Sequence, residues 1–389
     1  MKKILHIAPD EKFIDYIIEK FNKIDLVRNT YIITKEESNF KFIKNQDKVK
    51  SLSRGELLSN DFISSLSKFD LILLHGLVGP KIDLVNLSPD KTNFIWLSWG
   101  ADFYDIHPVL RNKLFLKKTN KLSWKTETKF RIKRLLKPVL SRLGLRKETY
   151  LLQEEALKKI KFIAPVIYED FLIIKKNYVN AENCKFINFA YGDISYFTGN
   201  LSQITGSNIL LGNSASASNN HIEVLDILKE FNLDHRIVYI PLSYGNRKYA
   251  ADIERYANKK LMQNYKGLVD FMPIKEYLDI ISSCEIVIMN HRRQQGMGNI
   301  YAMVYLGAKL FLRKENPAYH FFIRNRIKVF SMEELRSSDS LKPLSQIEKE
   351  RNKTSISSLL SADVVEKYFK ELINLQNNNV ADITGHKAK

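Results

Sequence analysis

The run His291-Arg-Arg-Gln-Gln-Gly-Met-Gly-Asn299 places two guanidinium groups, two amides and two glycines between an apolar run and a helical pattern. Arginine forks bind phosphate oxygens in pairs, and the free N–H groups of a helix start favour negative charge. Arg292 or Arg293, with Gln294, Gln295 and the backbone from Gly296 through Gly298 to Asn299, composes an anion site suited to a diphosphate. A second candidate is Leu210-Leu-Gly-Asn-Ser214. Gly212 permits close backbone approach, and Asn213 and Ser214 add polar side chains ahead of a helix that Ser218 or Asn219 caps. The third is Arg313-Lys-Glu-Asn-Pro317, where Glu315 can accept from a sugar or ribose hydroxyl pair and Asn316 before Pro317 equally fits a helix cap. Two further groups have the chemistry of a general base: Asp102, in Trp99-Gly-Ala-Asp-Phe-Tyr-Asp105, and His75, in His75-Gly76. Each also fits a bland role, as a helix cap or a turn residue.

Each of these groups follows a short apolar run, which points to loops at strand ends. Strands are expected near 3–8, 31–34, 70–74, 93–98, 161–164 and 185–189, with helices near 11–22, 55–67 and 149–159. A polar stretch, 198–207, looks like an interdomain linker. The pattern then restarts, with strands near 208–211, 236–240, 286–289 and 309–312 and helices near 219–231, 247–260, 274–282 and 299–306. The expected architecture is α/β: two doubly wound Rossmann-like domains, residues 1–200 and 205–335, then helices over 336–377 and a flexible tail over 378–389. Ligands of such sheets bind at the carboxyl ends of the strands, so the site is expected in a cleft between the domains.

The chain has 389 residues, 44% hydrophobic and 27% charged, which excludes a disordered or low-complexity protein. Two cysteines, Cys184 and Cys284, exclude a disulfide scaffold and form no zinc cluster. No Walker A, G-x-S-x-G, H-E-x-x-H or Asp-x-Asp motif occurs, so P-loop, hydrolase and metal-bridged readings lose support. The first apolar run is stopped by Pro9 and Asp10, too early for a signal peptide, so a cytoplasmic location is expected.

The net charge of +18 is concentrated. Between Arg111 and Lys147 there are 14 Lys/Arg against one acid, Glu127. Within this basic insertion (about 111–150), Ile132, Leu135, Leu136, Val139, Leu140 and Leu143 form an apolar stripe. Lys129, Arg131, Lys133, Arg134 and Lys137 lie mostly between them, and Trp124 adds an interfacial aromatic. An anionic membrane surface suits this pattern better than nucleic acid, because a regular aliphatic stripe serves lipid or core rather than phosphate tracking. A stripe packed on the domain is the other reading.

The loops together resemble the TDP-N-acetylfucosamine:lipid II N-acetylfucosaminyltransferases, glycosyltransferase family 56. The matching residues are Trp99-Gly-Ala-Asp-Phe-Tyr104, Leu110–Phe115, Leu211-Gly-Asn-Ser214, Ser218-Asn-Asn-His-Ile222, Pro241 with Tyr244, and the stretch from Arg293-Gln-Gln-Gly-Met-Gly298 to Arg313-Lys-Glu-Asn-Pro317. The resemblance implies a GT-B architecture, two facing Rossmann-like domains, with no cofactor and no metal. It implies a TDP-sugar donor in the C-terminal domain and a polyprenyl-diphosphate-linked saccharide acceptor, at the cytoplasmic face of the inner membrane. It makes Gly212, Asn213, Ser214, Tyr244, Arg293, Gln294, Gln295, Gly296, Gly298, Asn299, Glu315 and Asn316 donor-binding candidates, and Asp102, then His75, candidate bases. The basic insertion departs from the family pattern. The alternatives are a GT-B enzyme with another donor and acceptor, or a basic nucleic-acid-binding protein without catalysis.

Overall fold

The computed structural model describes residues 1–36, 39–126, 148–337 and 339–375. They fall into two compact α/β units, each built on one sheet whose strand pairs are all parallel.

The first unit contains β1 (Lys2–Ala8), β2 (Val27–Thr34), β3 (Val49–Leu52), β4 (Leu71–His75), β5 (Phe94–Ser98), β6 (Ile160–Pro165) and β7 (Lys185–Phe186), in the order β3-β2-β1-β4-β5-β6-β7. Every residue of β4 and β5 is buried. Helices cover both faces of a doubly wound sheet, which is why these strands read as unbroken apolar runs rather than alternating ones. The second unit contains β8 (Asn208–Leu211), β9 (Val238–Pro241), β10 (Tyr265–Leu268), β11 (Cys284–Met289), β12 (Lys309–Leu312) and β13 (Phe330–Ser331), in the order β10-β9-β8-β11-β12-β13. Strand order reverses between β1 and β4 in one sheet and between β8 and β11 in the other. These are the topological switch points, where a crevice opens beyond the strand ends.

The units do not follow the expected boundaries. Residues 103–151 leave the first sheet's unit and join the second, of which 127–147 lie outside the described residues. The reason is local. Glu223 caps the helix Lys117–Thr126: its Oε1 accepts from the amides of Lys118 and Thr119, both at 2.9 Å, and its Oε2 from the Thr119 hydroxyl at 2.6 Å. Phe115 and Leu122 pack against the apolar core of the same unit. The expected linker also shifts. The second unit resumes at Ile194, because the helix Ile194–Thr198 lies against the helix Met297–Leu306, with Phe197 pressed on Gly298.

The C-terminal helices part company. Gln346–Leu360 belongs to the second unit, whereas Ala362–Ile373 returns to the first, where Phe369 lies 4.8 Å from Phe21 and 5.3 Å from Phe189, ring centre to ring centre. The expected helix over 55–67 is two short ones, Arg54–Leu57 and Asn60–Ser65, each capped by its own serine, Ser53 and Ser59. The expected tail from 378 lies outside the described residues. Among the described residues no helix is long and apolar enough to cross a membrane.

Candidate active site

In the second unit the ends of β8, β11 and β12 carry the three loops singled out by their residue types. Gly212 leaves β8 with φ +70°, and a Cβ there would lie 2.6 Å from His221 Nε2 and 2.8 Å from Asn219 Oδ1. Only glycine fits so strained and crowded a turn. Asn219 then organises the loop: its Oδ1 accepts from the Asn213 amide at 3.0 Å, and its Nδ2 donates to the carbonyls of Ser214 at 3.0 Å and Ser216 at 3.1 Å. The helix His221–Leu228 is preceded not by Ser218 or Asn219 as cap but by Asn220, in the left-handed region.

The β11 loop is tied to the β8 loop by Gln295. Its Nε2 donates to Asn213 Oδ1 at 2.9 Å, and its Oε1 accepts from the Ser218 hydroxyl at 2.6 Å. Gly296, at φ +67°, starts the helix Met297–Leu306, and a Cβ on it would meet the Asn213 side chain at 2.8 Å. The first-turn amides of that helix are therefore presented beside the β8 loop at the switch point.

Beside this frame lies a surplus of positive charge. Glu315 Oε1 is 3.0 Å from Arg313 and 3.8 Å from Arg292. Arg293, only 7% exposed, has no acidic partner among the described residues. The Nε atoms of Arg292, Arg293 and Arg313 are buried without a hydrogen-bond partner, as are Gln294 Oε1 and His291 Nδ1. Buried guanidinium N–H groups left unpaired are costly, and here three arginines share one carboxylate, which Arg293 does not reach, so the loops form a candidate place for an anion. Burial works against the Glu315 carboxylate, but the hydrogen bond from Arg313 and the two arginine charges hold it below its usual range. Burial pushes His291 down to about 3, helped by the Arg293 charge and His221, and pushes His221 to about 3 as well. Both are neutral at working pH. Because Asn219 Oδ1 faces His291 Nε2 at 3.0 Å, Nε2 carries the proton and Nδ1 is the bare acceptor.

Some expected donor contacts turn elsewhere. The Asn299 side chain donates to the Tyr277 hydroxyl at 2.7 Å. Asn316 is fully buried and acts as a cap: its Oδ1 accepts from Ala318 N at 2.9 Å and its Nδ2 donates to the His291 carbonyl at 3.2 Å. Tyr244 is 58% exposed and meets the β8 loop through its carbonyl, which accepts from Ala215 N at 2.7 Å. Arg313, Asn219 and Asn220 belong to the arrangement although none of them was a donor-binding candidate: Arg313 only opened the third loop, and Asn219 was expected only as a cap. Asn219 and Asn220 had one visible signal, their place in the Ser218–Ile222 run.

In the first unit the two candidate bases sit at strand ends, His75 as the last residue of β4 and Asp102 just beyond β5. Asp102 does not have the geometry of a free base. Its Oδ2 accepts from Trp96 Nε1 at 2.6 Å and Leu77 N at 3.1 Å, and its Oδ1 from Trp99 N at 2.9 Å and the Ser98 hydroxyl at 3.5 Å. It is 3% exposed and pins the turn after His75. Burial raises its pKa beyond what these donors and the Lys81 charge offset. Lys81 is itself buried, donates to the His75 carbonyl at 2.6 Å, and is pushed down to about 7 by burial against the pull of Asp102.

His75 heads a buried chain. Asn29 Nδ2 donates to the Phe21 carbonyl at 3.1 Å, which turns its Oδ1 toward His6 Nε2, 3.3 Å away. His6 Nε2 must then hold the proton, so His6 Nδ1 accepts from His75 Nε2 at 3.2 Å. His75 Nδ1 is left as an acceptor facing the Tyr191 hydroxyl at 3.0 Å. Burial, then His6 and the Lys81 charge, holds His75 well below the usual range, and burial brings His6 to about 3.

Trp124 is 42% exposed on the second unit. The other expected membrane contacts, Lys129, Arg131, Lys133, Arg134 and Lys137, lie outside the described residues.

The family model described as 4-alpha-L-fucosyltransferase, glycosyl transferase group 56, matches residues 194–371. Solved structures of similar fold include a glycosyltransferase from Rickettsia africae (12% identity over 97% of this chain and 99% of that one, TM-score 0.60). Sucrose-phosphate synthase from Thermosynechococcus elongatus aligns at 8% identity over 97% and 99%, TM-score 0.66. HepE from Anabaena, solved with UDP-glucose, aligns at 13% identity over 97% and 98%, TM-score 0.62. Identities this low speak for the fold, which is of GT-B type. The matched region begins where the second unit resumes after residue 193 and contains all three candidate loops, and the chain is a glycosyltransferase whose residues 194–371 match the model of family 56.

Proposed function

We propose that this enzyme transfers an N-acetylfucosamine-like sugar from a TDP-sugar to a polyprenyl-diphosphate-linked saccharide at the cytoplasmic face of the inner membrane, in surface polysaccharide synthesis. The observation that carries the donor side is the set of three arginines with orphaned Nε atoms at the β8/β11 switch point. Leaving of a nucleoside diphosphate develops negative charge. Preorganised donors are worth most where that charge appears, because they need no reorganisation. Arg293, together with Arg313 and the amides beyond Gly296, would supply those donors without a metal ion. The resemblance at Arg293–Gly298 and Arg313–Pro317 supports the TDP-sugar and the lipid-linked acceptor. The basic insertion supports the membrane surface: each cation near an anionic leaflet contributes about 1 kcal/mol.

His75 is the better supported base of the two candidates, since its Nδ1 is held as an acceptor while both Asp102 oxygens are taken. Tyr191 is the group through which an acceptor hydroxyl would hand over its proton.

Calorimetric titration with TDP, UDP and GDP in EDTA tests the donor reading. One nucleoside diphosphate binding with EDTA present, TDP foremost, is expected. Preference for UDP would move the donor class and keep the site. No binding by any of the three would remove the reading.

A further inference from the structure

Asn220 has a left-handed backbone, φ 52° and ψ 46°, and is fully buried. That conformation is unfavourable for every residue but glycine, with asparagine among the more tolerant, and it persists only where surroundings impose it. Asn220 stands at the cap position of the helix His221–Leu228, yet its side chain makes no cap hydrogen bond there. It is given to other segments instead. Its Nδ2 donates toward three carbonyls: Leu114 at 3.1 Å, Ser218 at 3.1 Å and Asn290 at 3.2 Å. Its Oδ1 accepts from Leu116 N at 2.8 Å. Its own carbonyl accepts from Asn290 Nδ2 at 2.9 Å. Asn290 Oδ1 then accepts from Arg313 Nη1 at 3.2 Å.

One continuous chain of hydrogen bonds thus runs from the loop Leu114–Leu116, which enters the helix Lys117–Thr126, through Asn220 and Asn290 to an arginine of the anion site. Every member is in the second unit. The polarity is consistent along it: each amide oxygen faces a donor and each amide nitrogen a carbonyl. We propose that Asn220 is a positioning residue that sets Arg313 for the donor diphosphate and passes occupancy of that site to the segment 114–118, the entry to the basic insertion. This rests on the reading of these loops as the donor site. A diphosphate that draws Arg313 toward itself changes its bond to Asn290, and Asn290 and Asn220 share two hydrogen bonds, so the change reaches Leu116 without any intervening flexible element.

The test uses Asn220→Gly, which keeps the left-handed backbone without strain and deletes only the side chain. TDP and UDP titrations are run on wild type, Asn220→Gly, Arg313→Gln and the double variant. Hydrogen exchange of the amides of 114–118 is measured with and without the nucleotide. In wild type the nucleotide is expected to raise protection there; in Asn220→Gly the affinity falls about tenfold, as for the loss of one or two neutral hydrogen bonds that hold Asn290, and the protection change disappears. The two substitutions are expected to be non-additive in affinity, which a merely structural role would not produce. Unchanged affinity in Asn220→Gly, additive effects, or the same protection change in both proteins would overturn the proposal. Should Asn220→Gly fail to fold, Asn290→Ala removes the same link and carries the same readouts. If wild type binds neither nucleotide, the donor-site reading falls first, and the two failures stay distinct.

Discussion

Gln295 and Asn213, 82 positions apart, are joined side chain to side chain at 2.9 Å, while Gln295 accepts from Ser218 at 2.6 Å on its other end. One amide therefore locks the loop after β8 to the loop after β11, across the switch point of the sheet. A buried amide with both ends satisfied gives a fixed frame, and a fixed frame lets the neighbouring arginines act without reorganising.

Gln295→Leu preserves much of the volume and removes both bonds, leaving Asn213 Oδ1 without this donor and the Ser218 hydroxyl with Ser216 alone. Each lost hydrogen bond costs about 0.5–1.5 kcal/mol. The expected result is a lower melting temperature together with weaker nucleotide binding. A variant with wild-type melting and affinity would show that the two loops are held by something else.

Arg293→Ala is expected to lower turnover by at least ~10²-fold, as for loss of one oxyanion donor. Arg293→Lys should recover little, because an ammonium lacks the planar fork. Steady-state kinetics on both variants decides it; near-normal rates for Arg293→Ala would sink the diphosphate role.

Asp102 and His75 give opposite signatures. In Asp102→Asn an amide donor must face the Trp96 and Leu77 N–H groups or the Trp99 N–H, so the first loss is stability, by a few kcal/mol. In His75→Gln transfer is expected to fail with nucleotide affinity unchanged. Thermal melts beside transfer assays separate the two. A stable but inactive Asp102→Asn protein would restore Asp102 as the base.

The buried histidines make stability fall in mild acid. His6, His221 and His291 have folded values of about 3 against 6.5 when exposed, and His75 is also well below 6.5. The unfolded chain thus takes up protons below pH 6.5 that the folded one refuses. The stabilisation is whole above 6.5 and is lost as pH falls toward 3, by up to about 1.4 kcal/mol per pH unit for each group. Urea midpoints at pH 7.5 and 5.5 measure it. Equal midpoints would mean that these imidazoles titrate as if exposed.

Replacing Lys129, Arg131, Lys133 and Arg134 by Gln is expected to release the protein from anionic vesicles, with nucleotide binding intact. Co-sedimentation with phosphatidylglycerol vesicles is the measurement. Undiminished sedimentation would end the anchor proposal.

The primary sequence alone determined the two-sheet α/β plan, because strands buried on both faces leave short, unbroken apolar runs such as Leu71–Leu74 and Ile286–Met289. It also determined that Arg293, Gln295, Gly296 and Gly212 lie at strand ends, since glycine and polar clusters punctuate those runs. Tertiary structure alone decided what these residues face. Asn299 and Asn316 share the expected loops, yet their amides turn to Tyr277 and to the His291 carbonyl, and no spacing along the chain encodes a side chain's direction. Asp102 has the residue type of a base, but four donors from three other positions and Leu77 consume it. The unit boundaries were likewise hidden. Glu223 captures the helix Lys117–Thr126 from 104–105 positions away, and Phe369 returns to Phe21, because hydrogen bonds and apolar contacts reward proximity in space, whatever the separation in sequence.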